Sequence, residues 1–176
     1  DIILISPAGE KERDVVGWLK RHLPQLENLA DSKLLVGIGR SAGAVREIKA
    51  SYQQARRTVD NAQRIETLGQ IVHYDQLGIY RLLEELRHKP EMNAFMKDTI
   101  QPLIDYDRKN KTELVRTIRQ FYAQGGNLGQ AAQELFVHYN TVLYRLKRVE
   151  EILGISLGNS QQRLSLGVAV KALELK

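Results

Sequence analysis

Residues 138 to 148 read His-Tyr-Asn-Thr-Val-Leu-Tyr-Arg-Leu-Lys-Arg, a run of hydrogen-bonding and cationic side chains that holds no nucleophile paired with a base. Within and beyond it, Val142, Leu146, Val149 and Leu153 recur at spacings of four, three and four, the period of one buried helix stripe. Burying that stripe leaves Tyr139, Asn140, Thr141, Tyr144, Arg145, Lys147 and Arg148 toward solvent or a ligand. These groups suit recognition of a polyanion better than covalent chemistry. Asn can make two hydrogen bonds to adenine, Tyr and His can donate or accept, and Arg and Lys neutralise phosphate. His138 stands just before the helix, either as a DNA contact or as the cap of that helix. Pattern alone leaves a second reading open, an ordinary helical bundle with a solvated basic face.

Other candidate chemistry is sparser. Gly37-Ile38-Gly39-Arg40-Ser41-Ala42-Gly43 follows a strand-like run and precedes a helix, as a phosphate-binding loop would. Its GxGxxxG spacing is neither the dinucleotide fingerprint nor the P-loop, so a structural turn is expected, with a nucleotide contact as the alternative. His22, His73, His88 and His138 share no metal-ligand spacing, and the absence of cysteine removes disulfides, thiolate zinc sites and cysteine nucleophiles together. The acidic pairs Asp105/Asp107 and Glu84/Glu85 read as solvated faces. No catalytic, cofactor-binding or metal residue is expected.

The surrounding elements must position residues 138–148. Of the 176 residues 43% are hydrophobic and 27% charged, enough for a packed core. The net charge of +5 is uneven: residues 111–176 carry 9 Lys+Arg against 5 Asp+Glu, whereas residues 1–110 carry 17 against 16. The excess falls where a polyanion-binding surface is expected. No run is long enough for a membrane span, and cysteine-free composition suits a reducing cytoplasm.

Ile2–Ile5 and Leu34–Ile38 predict buried strands, with a helix between them that stops at Pro24. A long helix is predicted from Gly43 to about Leu68, burying Val45, Ile48, Tyr52, Ala55, Val59, Ala62 and Ile65, followed by a short strand at Gln70–Tyr74. Leu77, Tyr80, Leu83 and Leu86 form a further helical stripe before Pro90. Asp105–Asn110 reads as a polar hinge. Asn110 and Glu113 predict a capping box for a helix burying Leu114, Val115, Ile118, Phe121 and Tyr122, which Gly125-Gly126 ends. Asn127 caps a short helix with Ala131, Ala132 and Leu135 inward. A tight turn at Phe136–Val137 leads to the helix 139–153, closed by Gly154, and a last helix after Asn159-Ser160 packs Leu164, Val168 and Leu173. A short helix, a tight turn and a longer helix make up a helix-turn-helix unit.

The stretch Leu135-Phe136-Val137-His138-Tyr139-Asn140-Thr141-Val142-Leu143-Tyr144-Arg145-Leu146, continuing through Val149 to Gly154, resembles the C-terminal domain of the PucR/CdaR family of bacterial transcriptional regulators. That family's motif reads approximately LFVHxNTxxYRLxxIxxLxG. Val149 stands where Ile is usual, and Phe136 where many other helix-turn-helix proteins carry Gly. Upstream, Val36–Arg40, Ser51-Tyr52 with Ala55, and Tyr74–Tyr80 resemble the family's degenerate GGDEF-like domain. An active GGDEF cyclase would need a carboxylate pair and a hairpin that do not occur in these residues. The helix 44–65 also ends in Asn61-Ala62-Gln63-Arg64 without the Lys of active cyclases.

The resemblance therefore implies a non-enzymatic, sequence-specific DNA-binding regulator, and a nucleotide-binding or cyclase-type signalling protein is the alternative. It implies a fold of α/β class, a partial GGDEF-like βαβ domain over residues 1–88, then a helical linker over 89–109 and an all-α helix-turn-helix domain over 110–176. Double-stranded DNA is the expected partner, met by His138, Tyr139, Asn140, Thr141, Tyr144, Arg145, Lys147 and Arg148. A homodimer or higher even oligomer is expected, with no cofactor. A small-molecule effector would be sensed by a domain upstream of this sequence, and the front of the GGDEF-like domain would lie there too.

Overall fold

The computed structural model describes residues 12–65 and 68–175, so the expected strand Ile2–Ile5 lies outside the described residues. The chain divides into two compact units, one up to Arg81 and one from Leu82 onward.

In the first unit two three-residue strands, β1 (Val36–Ile38) and β2 (Ile71–His73), run parallel with Val36 opposite Ile71 and Ile38 opposite His73. A parallel pair needs a long crossover, and α2 (Val45–Ala62) supplies it. The two glycines of β1 and its exit exist for this packing. A Cβ on Gly37 would stand 2.2 Å from the Ala55 carbonyl oxygen, and one on Gly39 2.0 Å from that of Ser51. No side chain fits at either position. Two amides of the following loop are already engaged, Arg40 N–H by Gln54 Oε1 at 2.9 Å and Gly43 N–H by Glu47 Oε2 at 2.8 Å. The Glu47 carboxylate thus takes up one of the amides that a phosphate would use, which favours the structural turn. After β2, His73 caps a 3₁₀ turn, Tyr74–Leu77, by accepting the Asp75 amide proton while Gln76 Oε1 accepts that of His73. Asp75 joins this turn to the β1 exit through Arg40, whose guanidinium holds the Asp75 carboxyl below the usual carboxylate range.

Two expectations for this unit are corrected. Helix α1 (Glu12–Ala30) runs through Pro24 instead of ending there. Proline removes one amide from the ladder, but Pro24 and Lys20 are both exposed, so solvent can serve the carbonyl left unpaired. Val45 and Tyr52 are exposed, and the inner face of α2 includes the polar Thr58 and Asn61, each donating to a carbonyl one turn back. Among the described residues the sheet is limited to β1 and β2 around the crossover α2, so helix dominates, and the expected third strand at Ile2–Ile5 is not among them.

The second unit is helical, after α3 (Tyr80–Leu86): α4 (Pro90–Thr99), α5 (Gln101–Asn110), α6 (Leu114–Ala123), α7 (Leu128–Leu135), α8 (Tyr139–Leu153) and α9 (Ser160–Leu173). Its core is built from Ile100, Leu103, Ile118, Ala131, Val142, Val149, Leu166, Ala169 and Val170, all solvent-inaccessible. Helix α6 packs against α7, α8 and α9, and α5 against α6 and α8. The supposed hinge 105–110 is the last part of α5, and the chain breaks one residue later at Lys111, in the left-handed region. The Asn110/Glu113 capping box does not form. The carboxylate of Asp107, expected on a solvated face, caps α6 from the preceding helix, accepting from Leu114 N–H at 2.9 Å and Val115 N–H at 2.8 Å. Leu86 and Leu164, expected in buried stripes, are exposed; in α9 Leu166, Ala169, Val170 and Leu173 form the inner face.

Tyr122 fastens α6 to α9. Its hydroxyl donates to the Arg163 carbonyl at 2.5 Å, and its ring lies against the bare Cα of Gly167. Burial pushes the phenol up to about 12, opposed weakly by Arg163. A raised phenol stabilises the fold fully below its unfolded value near 10, and that contribution is lost as pH rises through 12. We expect a tyrosine absorbance titration to show a late phase near pH 12 that Tyr122→Phe reduces by one proton. A titration with no phase above pH 11 would contradict it.

Candidate nucleic-acid interface

Helix α7 starts at Asn127, whose Oδ1 accepts the Gln130 amide proton at 3.1 Å. It presents Ala131 and Ala132 inward, small enough to let α8 cross closely. It ends at Phe136, held left-handed at φ 55°, and Val137 N–H then donates back to the Ala132 carbonyl at 3.0 Å. That reversal is the one glycine usually serves at a helix end. Here a phenylalanine serves it, 90% exposed. His138 reopens the helix, its Nδ1 accepting from the Asn140 amide at 3.2 Å.

Val142, Leu146 and Val149 are buried, which fixes the rotation of α8. The opposite face then carries Asn140, Leu143, Tyr144 and Lys147, spaced i, i+3, i+4 and i+7, and all four are exposed. Tyr144 is 69% exposed. Tyr139 is half-exposed beside this face, and Thr141 is half-buried on its other flank.

The two arginines are held differently. Arg145 folds back onto α6, its Nη1 3.2 Å from Glu113 Oε2 and 3.2 Å from Thr117 Oγ1. Arg116, and behind it Arg145, hold the Glu113 carboxyl below its usual range. Arg148 lies over the Tyr106 ring with its guanidinium carbon 5.2 Å from the centroid, and donates to Tyr106 Oη at 3.2 Å and to Glu151 Oε2 at 2.6 Å. Glu151 first and Tyr106 second raise its already high pKa. Both arginines, with Tyr106, Lys111 and Tyr144, line an open cleft of about 430 Å³ along one side of α8. The sequence pattern brings Asn140, Tyr144 and Lys147 together correctly, but it counts Arg145 on the outward face, from which Glu113 and Thr117 withdraw it. Tyr106, Glu113 and Thr117 went unnoticed as partners of these cations. Only the i, i+3 spacings of Glu113 with Arg116 and of Arg148 with Glu151 signalled any of this ion pairing.

Two helices at this spacing, joined by a left-handed turn and presenting one polar face, define the unit. Residues 114–172 match the PucR C-terminal helix-turn-helix domain. The match thus runs from the start of α6 almost to the end of α9. The chain is similar to the DNA-binding transcriptional activator AdeR of Bacillus subtilis, 28% identical over 97% of this chain and 41% of that protein. It is similar to the proline-responsive transcriptional activator PutR of the same organism, 28% identical over 81% of the chain and 35% of that protein. It is likewise similar to the carbohydrate diacid regulator of Escherichia coli, 25% identical over 85% of the chain and 38% of that protein. The chain therefore spans well under half the length of these relatives. Among the described residues, no helix is long and apolar enough to cross a membrane.

Proposed function

We propose that this chain regulates transcription by binding double-stranded DNA sequence-specifically, with α8 as the recognition helix. The observation that carries the reading is the outward face of α8 within a PucR-type domain: an exposed Asn, Tyr and Lys at helical spacing on the second helix of the unit. A helix of this width fits the major groove, its first turn at the base edges. His138, Tyr139, Asn140 and Thr141 belong to that first turn, Tyr144 and Lys147 follow, and Arg145 and Arg148 flank them beside the cleft. We assign the phosphate backbone to this flank, with Arg148 the cation that meets it and Arg145 the brace that fixes α8 against α6. The names of the relatives, two transcriptional activators and a regulator, support the same reading.

One recognition helix reads only a few base pairs, so we propose that two copies of the protein act on paired half-sites. The β–α–β unit serves as a GGDEF-like structural platform, over residues 1–88 with a linker to 109, working by binding and not by turnover. An effector-sensing domain and a cytoplasmic setting complete the proposal, in line with the relatives' greater length.

The test separates holding from reading. Arg148→Ala should weaken binding to a selected operator and to a scrambled duplex by the same factor, and should lower the slope of log K against log salt by about one. The measurement is fluorescence anisotropy across a salt series. An unchanged slope with unchanged affinity would remove Arg148 from the interface.

A further inference from the structure

Leu143 is an aliphatic side chain on the face of α8 that should meet a groove lined with hydrogen-bonding groups. It follows Asn140 by three residues and precedes Lys147 by four, on the margin of the exposed face, about a quarter-turn from the buried Val142, Leu146 and Val149. It is 37% exposed, so part of its carbon surface stands in solvent among polar neighbours. The base edges of the major groove offer one apolar group, the C5 methyl of thymine. Three residues of helix advance about 4.5 Å along the axis, little more than one base-pair step of about 3.4 Å. Asn140 and Leu143 therefore address the same or adjacent base pairs. An A·T pair satisfies both, since adenine gives Asn its donor and acceptor and thymine gives Leu a methyl.

We propose that Leu143 is a specificity-determining residue that packs on a thymine methyl, so that the half-site core contains A·T pairs read jointly by Asn140 and Leu143. This rests on the DNA-binding reading above and names the base that α8 recognises. Tyr144 and Lys147, exposed on the same face, carry groups that reach the sugar–phosphate walls and add no preference for a methyl.

Deoxyuridine differs from thymidine only by that methyl, so the test can leave the protein untouched. The whole chain is used to select duplexes from a random library, and each thymine of the enriched site is replaced in turn by deoxyuridine. One position should lose about fourfold in affinity, the worth of one buried methyl-sized group. Leu143→Ala should bind the thymine site correspondingly more weakly and should be indifferent to deoxyuridine at that position. Enriched sites without A·T pairs, or sites at which every deoxyuridine duplex binds like its parent, would overturn the proposal. So would a loss at deoxyuridine that persists in Leu143→Ala. A library that yields no enriched site would overturn the DNA-binding reading as well, which tells the two failures apart.

Discussion

Asn140→Ala is expected to cost about 1–3 kcal/mol of affinity for a selected operator, roughly five- to 150-fold, while leaving affinity for scrambled duplex unchanged. The side chain is exposed in the first turn of α8, so its removal opens no cavity. Alanine is the better helix former, and the cap of this helix belongs to His138, so the fold should survive intact. A bidentate contact to adenine is lost only on duplexes that present it, which makes the ratio of operator to scrambled binding the informative quantity. Equal losses on both duplexes would show that Asn140 holds the backbone, and no loss on either would remove the first turn of α8 from the groove. Circular dichroism of the variant, unchanged from the parent, is the control.

The second large effect concerns stability. Asp107→Ala should destabilise the PucR-type unit by about 2 kcal/mol, in the range of a lost helix cap made by a charged acceptor. One carboxylate there serves three donors: the Leu114 and Val115 amides, and Thr112 Oγ1 at 2.5 Å. Removing it strands two amides in the first turn of α6, beside the buried Leu114. For a unit of this size, calorimetry should find the melting temperature lowered by roughly 10 °C. Asp107→Asn keeps one acceptor oxygen and should lose less. A shift below about 2 °C for the alanine variant would mean that solvent or Glu113 serves those amides equally well.

The parts of the molecule legible in the sequence are those that local periodicity and local turn chemistry determine. The α7–turn–α8 unit came through nearly residue by residue, because Val142, Leu146, Val149 and Leu153 fix the rotation of α8 and Asn127 and Gly154 mark ends that depend on neighbouring residues. The crossover β1–α2–β2 was legible for the same reason, from two short aliphatic runs around a long helix. What escaped was every interaction that joins distant segments. Asp107 looked like a solvated charge because its amides lie seven and eight residues on, beyond a break at Lys111 that no glycine announces. Arg145 looked like a free cation because Glu113 and Thr117 reach it from another helix. Leu86 and Leu164 followed an apolar period, yet the stripe they extended is wider than the surface available to cover it. The roles of individual side chains on α8 toward DNA depend on a partner that sequence spacing does not describe, and the binding series above is what decides them.

Tyr106 and Asp107 are neighbours in the chain, and between them they tie the last turn of α5 to two other helices: Tyr106 to Arg148 of α8, Asp107 to the start of α6. That turn cannot fray alone, because unwinding it uncovers amides of α6 and releases the guanidinium of α8 in the same event. The end of α5, the start of α6 and the middle of α8 therefore open as one cooperative block, whose amides should share a common protection in hydrogen exchange. A fragment begun at residue 110, where the polarity of the chain invites a cut, would keep every residue of α8 and yet lose both fastenings. A piece that is to keep both fastenings has to begin upstream of Tyr106.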